Sequence, residues 1–373
     1  MENRLNLQEF LCDMKIDGKK PFRALSDDMW STIPYWIPTG APSLDRAILN
    51  NELNTQGGIP HTRVIEIYGM ESTGKSSLVD SIIRQFQIHY SGYTLLCDAE
   101  HAHEEDRMLE MDIDPSLVIM IEKDRDNENV DDVTLEEFFN YSEAALKKIR
   151  KEDKTTPALI VLDSLAMIDT DLQRKAQDQD RNLKMNESTD KSKIMSSRFG
   201  RFVSSMVANN ATLIIVNQLR EKPGVMFGDA RYTPGGSTLR FLASVRIGLS
   251  KKETIKASSD IFEHDHDDPV GILVEFKIAK NKVAPPLRTG TFPIMFDSRG
   301  IWRLKCWWDI FMKDMKKARY LEKSGTWYSW RGEKLGQGEA NSLRLLYENP
   351  DVFEDILSMF LNKNKEEEAD DSE

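Results

Sequence analysis

Residues 69–76 read GMESTGKS; they follow the apolar run VIEIY (64–68) and open the segment KSSLVDSIIRQF. This G-x-x-x-x-G-K-[ST] spacing constrains the fold more than any other feature, because it works only at the junction of a strand and a helix. Gly69 and Gly74 let the backbone of Met70, Glu71, Ser72 and Thr73 turn its N–H groups inward, and the helix N-terminus adds positive potential. The result is a cradle for phosphate. Lys75 then stands where it neutralises β and γ phosphates, the Ser76 hydroxyl where it coordinates Mg²⁺, and Ser77 follows in the first helical turn.

A strand that feeds such a helix belongs to a parallel sheet, and the chain supplies more strands of that kind. YTLLC (93–97), LVIMI (117–121), ALIVL (158–162) and TLIIV (212–216) are near-continuous apolar runs, the mark of strands buried on both faces. Helical stretches at 75–89, 104–111, 134–150 and 193–209 separate them. The alternation predicts an α/β fold: a largely parallel, twisted, doubly wound sheet between helices. Further β-type segments fall at 242–249, 271–279 and 291–296.

Asp163 ends the ALIVL strand, and ligands of parallel sheets bind at the strands' carboxyl ends. It reads either as a cap for the following SLAMI segment or as the anchor of a Mg²⁺-bound water. In a phosphate-loop chain the second reading is preferred.

Around this core (34–298) the pattern changes. Residues 1–33 form a small N-terminal element, an amphipathic helix (Leu5, Leu7, Phe10, Leu11, Met14) with a linker. Residues 299–363 begin with Trp302, Trp307 and Trp308, include a turn-rich hairpin (327–338), and predict a small α+β C-terminal domain. The last eight residues hold six carboxylates and no base, so 364–373 is expected to be a disordered acidic tail.

Composition limits the setting. The three cysteines, Cys12, Cys97 and Cys306, lie far apart and predict reduced thiols in a cytosol. The polar start MENRLNLQEF is not a secretory signal, and no stretch approaches the ~20 apolar residues of a membrane span. A net charge of −12 looks wrong for a partner of nucleic acid. The average hides basic stretches, a local +5 over 219–252 and +4 over 172–201.

Several blocks in order resemble the RecA recombinases: EIYGMESTGKS (66–76), LLCDAEHA (95–102), LIVLDS (159–164), VNQLREKPGVMFGDARYTPGGSTLRFLASVR (216–246), AKNKVAPP (279–286) and EKSGTWYSWRGEKLGQGEAN (322–341). The resemblance covers roughly residues 33–350. It implies an ATPase with ATP and Mg²⁺ as cofactors, in which Glu100 is the general base for the attacking water and Gln218 the sensor of the γ-phosphate. Lys280 and Lys282, two apart and so on one face of a strand, reach the ATP of a neighbouring protomer in this family. For DNA it points to Arg201, to Arg220, Gly235, Gly236 and Ser237 for phosphates, and to Phe227 for insertion between bases.

The implied partners are single-stranded DNA, homologous duplex DNA, further copies in a helical filament, and single-strand-binding and mediator proteins, with no membrane. The implied location is a bacterial cytoplasm or nucleoid, or a host cytoplasm for a phage-encoded member. Departures mark a divergent member. The first DNA loop (172–192) is long and charged, Arg107 stands at the adenine where a tyrosine is usual, Glu339 replaces a basic residue, and 49–58 is extended. His101 and His103 read as structural, and HDHDD (264–268) as a polar loop. Two other functions share the core fold, a hexameric helicase motor and a nucleotide-gated coat on single-stranded DNA. The GVMFG loop and C-terminal block disfavour the first; Glu100 and Gln218 disfavour the second.

Overall fold

The computed structural model of the chain describes residues 33–49, 57–122, 132–179, 190–221, 231–262, 268–314 and 321–370. The expected N-terminal helix and Phe227 lie outside these residues, as do all but Asp268 of the HDHDD run.

In chain order the core contains β1 (Trp36–Ile37), α1 (Pro42–Leu49), β2 (Ile59–Pro60), β3 (Val64–Gly69), α2 (Lys75–Tyr90), β4 (Tyr93–Asp98), α3 (Glu105–Glu110), β5 (Val118–Met120), α4 (Leu135–Glu152), β6 (Ala158–Asp163), α5 (Asp171–Asp178), α6 (Asp190–Ala208) and β7 (Ala211–Gln218). It continues with β8 (Arg220–Glu221), β9 (Arg231–Tyr232), α7 (Gly236–Leu242), β10 (Val245–Lys256), β11 (Pro269–Asn281) and β12 (Thr289–Met295). The main sheet has the order β12-β11-β10-β3-β7-β6-β4-β5. From β10 to β5 every pairing is parallel, and β11 and β12 add an antiparallel edge.

The apolar runs are continuous because alternate side chains feed two different cores. Ile65, Ile67, Leu96, Leu159, Val161, Ile214 and Val216 pack with Leu78, Val79, Ile82, Ile83 and Phe86 of α2. Their neighbours Val64, Leu95, Ile160, Leu162, Leu213 and Ile215 pack on the other face with Phe138 and Phe139 of α4 and Phe199 and Phe202 of α6. A strand covered on both faces has no polar side to show. Local signals set the helix starts: Thr134 and Glu137 form a capping box at α4, and Thr170 and Gln173 form another at α5.

The C-terminal unit comprises α8 (Arg303–Asp314), β13 (Leu321–Ser324), β14 (Trp327–Trp330), β15 (Glu333–Gln337), α9 (Gly338–Glu348) and α10 (Pro350–Asp370). Its own core gathers Trp302, Trp307, Trp308, Phe311, Trp330, Leu346, Ile356 and Phe360. The expected hairpin is β14–β15. Arg331 (φ 51°) and Gly332 (φ 80°) make its two-residue turn, the pair of positive φ values that a tight hairpin matching strand twist requires.

Three expectations need correction. Residues 172–192 are not one loop: α5 and the start of α6 occupy its two ends, because Thr170 supplies a cap that a loop reading overlooked. The β segment placed at 242–249 begins only at Val245, after the short helix α7 that the glycine pair Gly235-Gly236 starts. The acidic run is helical rather than extended as far as Asp370, since α10 continues through it; no proline or glycine interrupts residues 351–370.

Candidate nucleotide site

Sheet register brings the chemistry together before any side chain is considered. Gly69 at the end of β3 pairs with Gln218 at the end of β7, and Asp98 at the end of β4 pairs with Asp163 at the end of β6. Four strands therefore deliver the phosphate loop, Glu100, Asp163 and Gln218 to one edge, the carboxyl edge where parallel sheets bind ligands.

Within the loop, Ser72 and Gly74 have positive φ (54° and 81°). A Cβ on Gly74 would lie 2.4 Å from Ile294 Cδ1 of β12, so glycine is required there by conformation and by crowding alike. Lys75 Nζ donates to the Met70 carbonyl at 2.8 Å. Burial holds its pKa below the usual lysine value, opposed by the nearby Glu100, Asp163 and Glu71 carboxylates. Ser76 Oγ donates to Asp163 Oδ2 at 2.9 Å. The other oxygen, Asp163 Oδ1, is buried and has no hydrogen-bond partner among the described residues.

That orphaned acceptor fits a hydrated divalent cation, whose bound water would satisfy it. No cluster of three or more His, Cys, Asp or Glu among the described residues could hold a metal unaided. Mg²⁺ would therefore rest on Ser76, the water on Asp163 and the substrate's phosphates, the usual mode for this ion.

Glu100 is connected as well as near. Gln218 Nε2 donates to its Oε1 at 2.8 Å, and the Ser164 hydroxyl makes a short hydrogen bond to the same oxygen. Among the described residues no hydrogen bond engages Oε2, which is left for a water. Arg107 donates from Nη2 to Ser77 Oγ at 3.2 Å, and its Nε lies 3.7 Å from Asp80. With Ser72, Gly74, Lys251, Ile272 and Phe296 it lines a cavity of about 480 Å³ beside the loop, adequate for a nucleoside.

Strand β7 leads on toward the expected DNA segment. Asn217 donates to Glu66 Oε1 (3.1 Å) and to the Pro234 carbonyl (3.0 Å), and its Oδ1 accepts from the Gln218 backbone N–H (3.1 Å). Glu66 is fully buried and makes a short ion pair with Arg246. Gly235 and Gly236 then start α7, with Ser237 exposed beside them; Arg201 on α6 and Arg220 on β8 are exposed as well. Lys280 lies on β11 and Lys282 just past its end, so the strand face expected for the pair holds only for the first. Both donate to the Phe241 carbonyl at the end of α7, at 2.8 and 2.9 Å, where the helix presents negative potential.

Four participants escaped sequence reasoning. Ser164 was hidden by its ordinary context. Asn217 and Glu66 meet only through strand pairing. His103, read as structural, is buried between Asp80 and Asp163, with Nδ1 2.6 Å from Asp80 Oδ1 and Nε2 3.1 Å from Asp163 Oδ2. Burial lowers its pKa, but the hydrogen bonds to both carboxylates outweigh burial and raise it to about 10. The available signal was Asp80 itself, a charge inside the apolar stripe of α2. His101, by contrast, is a surface residue 3.8 Å from Asp132.

A parallel sheet that ends in a phosphate loop, with Asp163 and Glu100 brought to the same edge, defines a phosphate-loop ATPase. Family models agree and go further: the RecA N-terminal domain matches residues 15–302 and the RecA C-terminal domain residues 316–364. The chain is 31% identical to Protein RecA of Kineococcus radiotolerans over 339 residues, 91% of this chain and 86% of that protein. It is 32% identical to Protein RecA of Streptomyces coelicolor over 320 residues, 86% and 75% of the two chains. The chain belongs to the RecA family. It is a recombinase and a DNA-dependent ATPase that binds nucleotide and DNA and forms filaments. Among the described residues no helix is long and apolar enough to cross a membrane.

Proposed function

We propose that this recombinase hydrolyses ATP with Mg²⁺ at the carboxyl edge of the sheet, and that Glu100 performs the base step. The carrying observation is the shared oxygen of Glu100: Gln218 and Ser164 both donate to Oε1, which fixes the carboxylate at the carboxyl edge. Water attacks the γ-phosphorus, its proton passes to Glu100, and the bond to the β–γ bridging oxygen breaks. Lys75 and the loop N–H groups stabilise charge on the departing oxygens. Mg²⁺, held by Ser76 and through water by Asp163, supplies further neutralisation when bound. Arg107 stacks its guanidinium on the adenine in the adjoining cavity.

Single-stranded DNA is contacted by Arg201, Arg220, Phe227, Gly235, Gly236 and Ser237, and homologous duplex is captured by the C-terminal domain. Gln218 and Asn217 link the two sites, since one touches Glu100 and the other the Pro234 carbonyl ahead of the glycine pair. Lys280 and Lys282 complete the ATP site of a neighbouring protomer in the filament. Single-strand-binding and mediator proteins are further partners, in a bacterial cytoplasm or, for a phage-encoded member, that of its host.

The test is a pair of substitutions measured on single-stranded DNA. Glu100→Gln keeps ATP binding and lowers turnover by about 10²-fold or more, whereas Lys75→Ala loses turnover together with nucleotide affinity. Wild-type turnover by Glu100→Gln would remove the base from this residue.

A further inference from the structure

Helix α2 turns Leu78, Val79, Ile82 and Ile83 into the core, yet Asp80, 2% exposed, is a carboxylate in the same buried stripe. Its partner is the His103 ring, which spans from Asp80 to Asp163 (2.6 and 3.1 Å) with the three side chains at 0, 3 and 1% exposure. Each ring nitrogen lies within hydrogen-bonding distance of a carboxylate oxygen, so the imidazole is clamped between two buried acids. Stability alone does not account for such a group, because an apolar pair of similar volume fills a buried place as well or better.

The geometry at Asp163 suggests what the clamp does. Its Oδ2 accepts from both His103 and Ser76, and Oδ1 is the buried, unpartnered oxygen. Once the Ser76 hydroxyl turns to a metal, His103 provides the remaining side-chain hydrogen bond to Asp163. Partners behind a ligand fix its orientation and contribute strongly to metal affinity.

We propose that His103, braced by Asp80, is a positioning residue for the Mg²⁺ site: it pins Oδ2 of Asp163 so that Oδ1 faces the metal-bound water. This rests on the assignment of Ser76 and Asp163 to the metal side.

The experiment uses the full-length protein and a fluorescent, non-hydrolysable ATP analogue, with binding followed as Mg²⁺ is titrated. The paired change Asp80→Leu with His103→Leu removes the clamp while retaining Asp163 and its bond from Ser76. His103→Asn, whose amide is too short to span both carboxylates, supplies the same reading should the double variant fail to fold. Thermal unfolding identifies the folded variants, and Asp163→Asn is the control for the site. The expected result is a rise of about tenfold in the Mg²⁺ concentration at half-saturation, with unchanged analogue affinity at saturating Mg²⁺. A shift in Asp163→Asn with superimposable curves for the clamp variants overturns the role of His103 and leaves the metal site standing. No shift in Asp163→Asn overturns the metal-site assignment and the proposal with it.

Discussion

His61 and His103 are both wholly buried imidazoles, and their surroundings drive them in opposite directions. His103 faces two carboxylates. His61 faces neutral groups: its Nε2 donates to Asn210 Oδ1 at 2.9 Å, its Nδ1 accepts from Thr212 Oγ1 at 2.6 Å, and Tyr35 stacks on it at 4.1 Å. Burial therefore lowers the His61 pKa to about 4 from an ordinary 6.5. The unfolded chain binds the proton more readily, so stability is full above about pH 6.5 and falls as pH drops toward 4. At pH 5 this one residue costs about 2 kcal/mol relative to pH 7.5. Urea unfolding at the two pH values should give a smaller difference in His61→Gln than in the wild type; equal differences would assign the acid sensitivity elsewhere.

At the scale of an element, two glycines separate conformational cost from crowding. Gly332 in the β14–β15 turn has φ 80° and open space where a Cβ would go. Gly332→Ala therefore loses only backbone freedom, about 1 kcal/mol in urea unfolding, with ATP hydrolysis unaffected. Gly74 shares the positive φ but meets Ile294 at 2.4 Å. Gly74→Ala must push the Ile294 methyl aside as well, and is expected to lose nucleotide binding along with more stability than Gly332→Ala. Equal stability losses would show that β12 yields freely at that point. Each glycine stands out as turn chemistry in the sequence. That Ile294, 220 residues away, crowds one of them does not.

For the whole molecule, the paired lysines carry the clearest prediction. Lys280 and Lys282 rest on the end of α7 rather than in a core, so replacing both with Ala should leave the protomer folded, at a cost of about 1 kcal/mol. DNA-stimulated hydrolysis should nevertheless fall sharply, since the proposed role lies across a protomer boundary. Mixing this variant with Lys75→Ala protein should restore part of the activity, because some mixed interfaces then carry both intact halves. Mixed filaments with no recovery would rule out a shared site.

The doubly wound sheet, the phosphate loop and the position of Asp163 at a strand's end were legible along the chain because each depends on neighbours in sequence. An apolar run five residues long, a glycine spacing and a residue at a strand's end are local facts, and the physics that uses them is local too. Resemblance to a family extended this to Glu100 and Gln218, which the sheet register then brought within 2.8 Å of each other. Long-range contact decided the rest. Helix α5 occupies what read as loop, Glu66 meets Arg246 and Asn217 across three strands, and Asp80 meets His103 and Asp163 across a helix, a loop and a strand. A lone buried charge in a sequence looks like an error in an apolar stripe. Only folding brings its counter-charge near, because pairing energies fall off over a few ångströms while the partners lie 23 and 83 residues away along the chain.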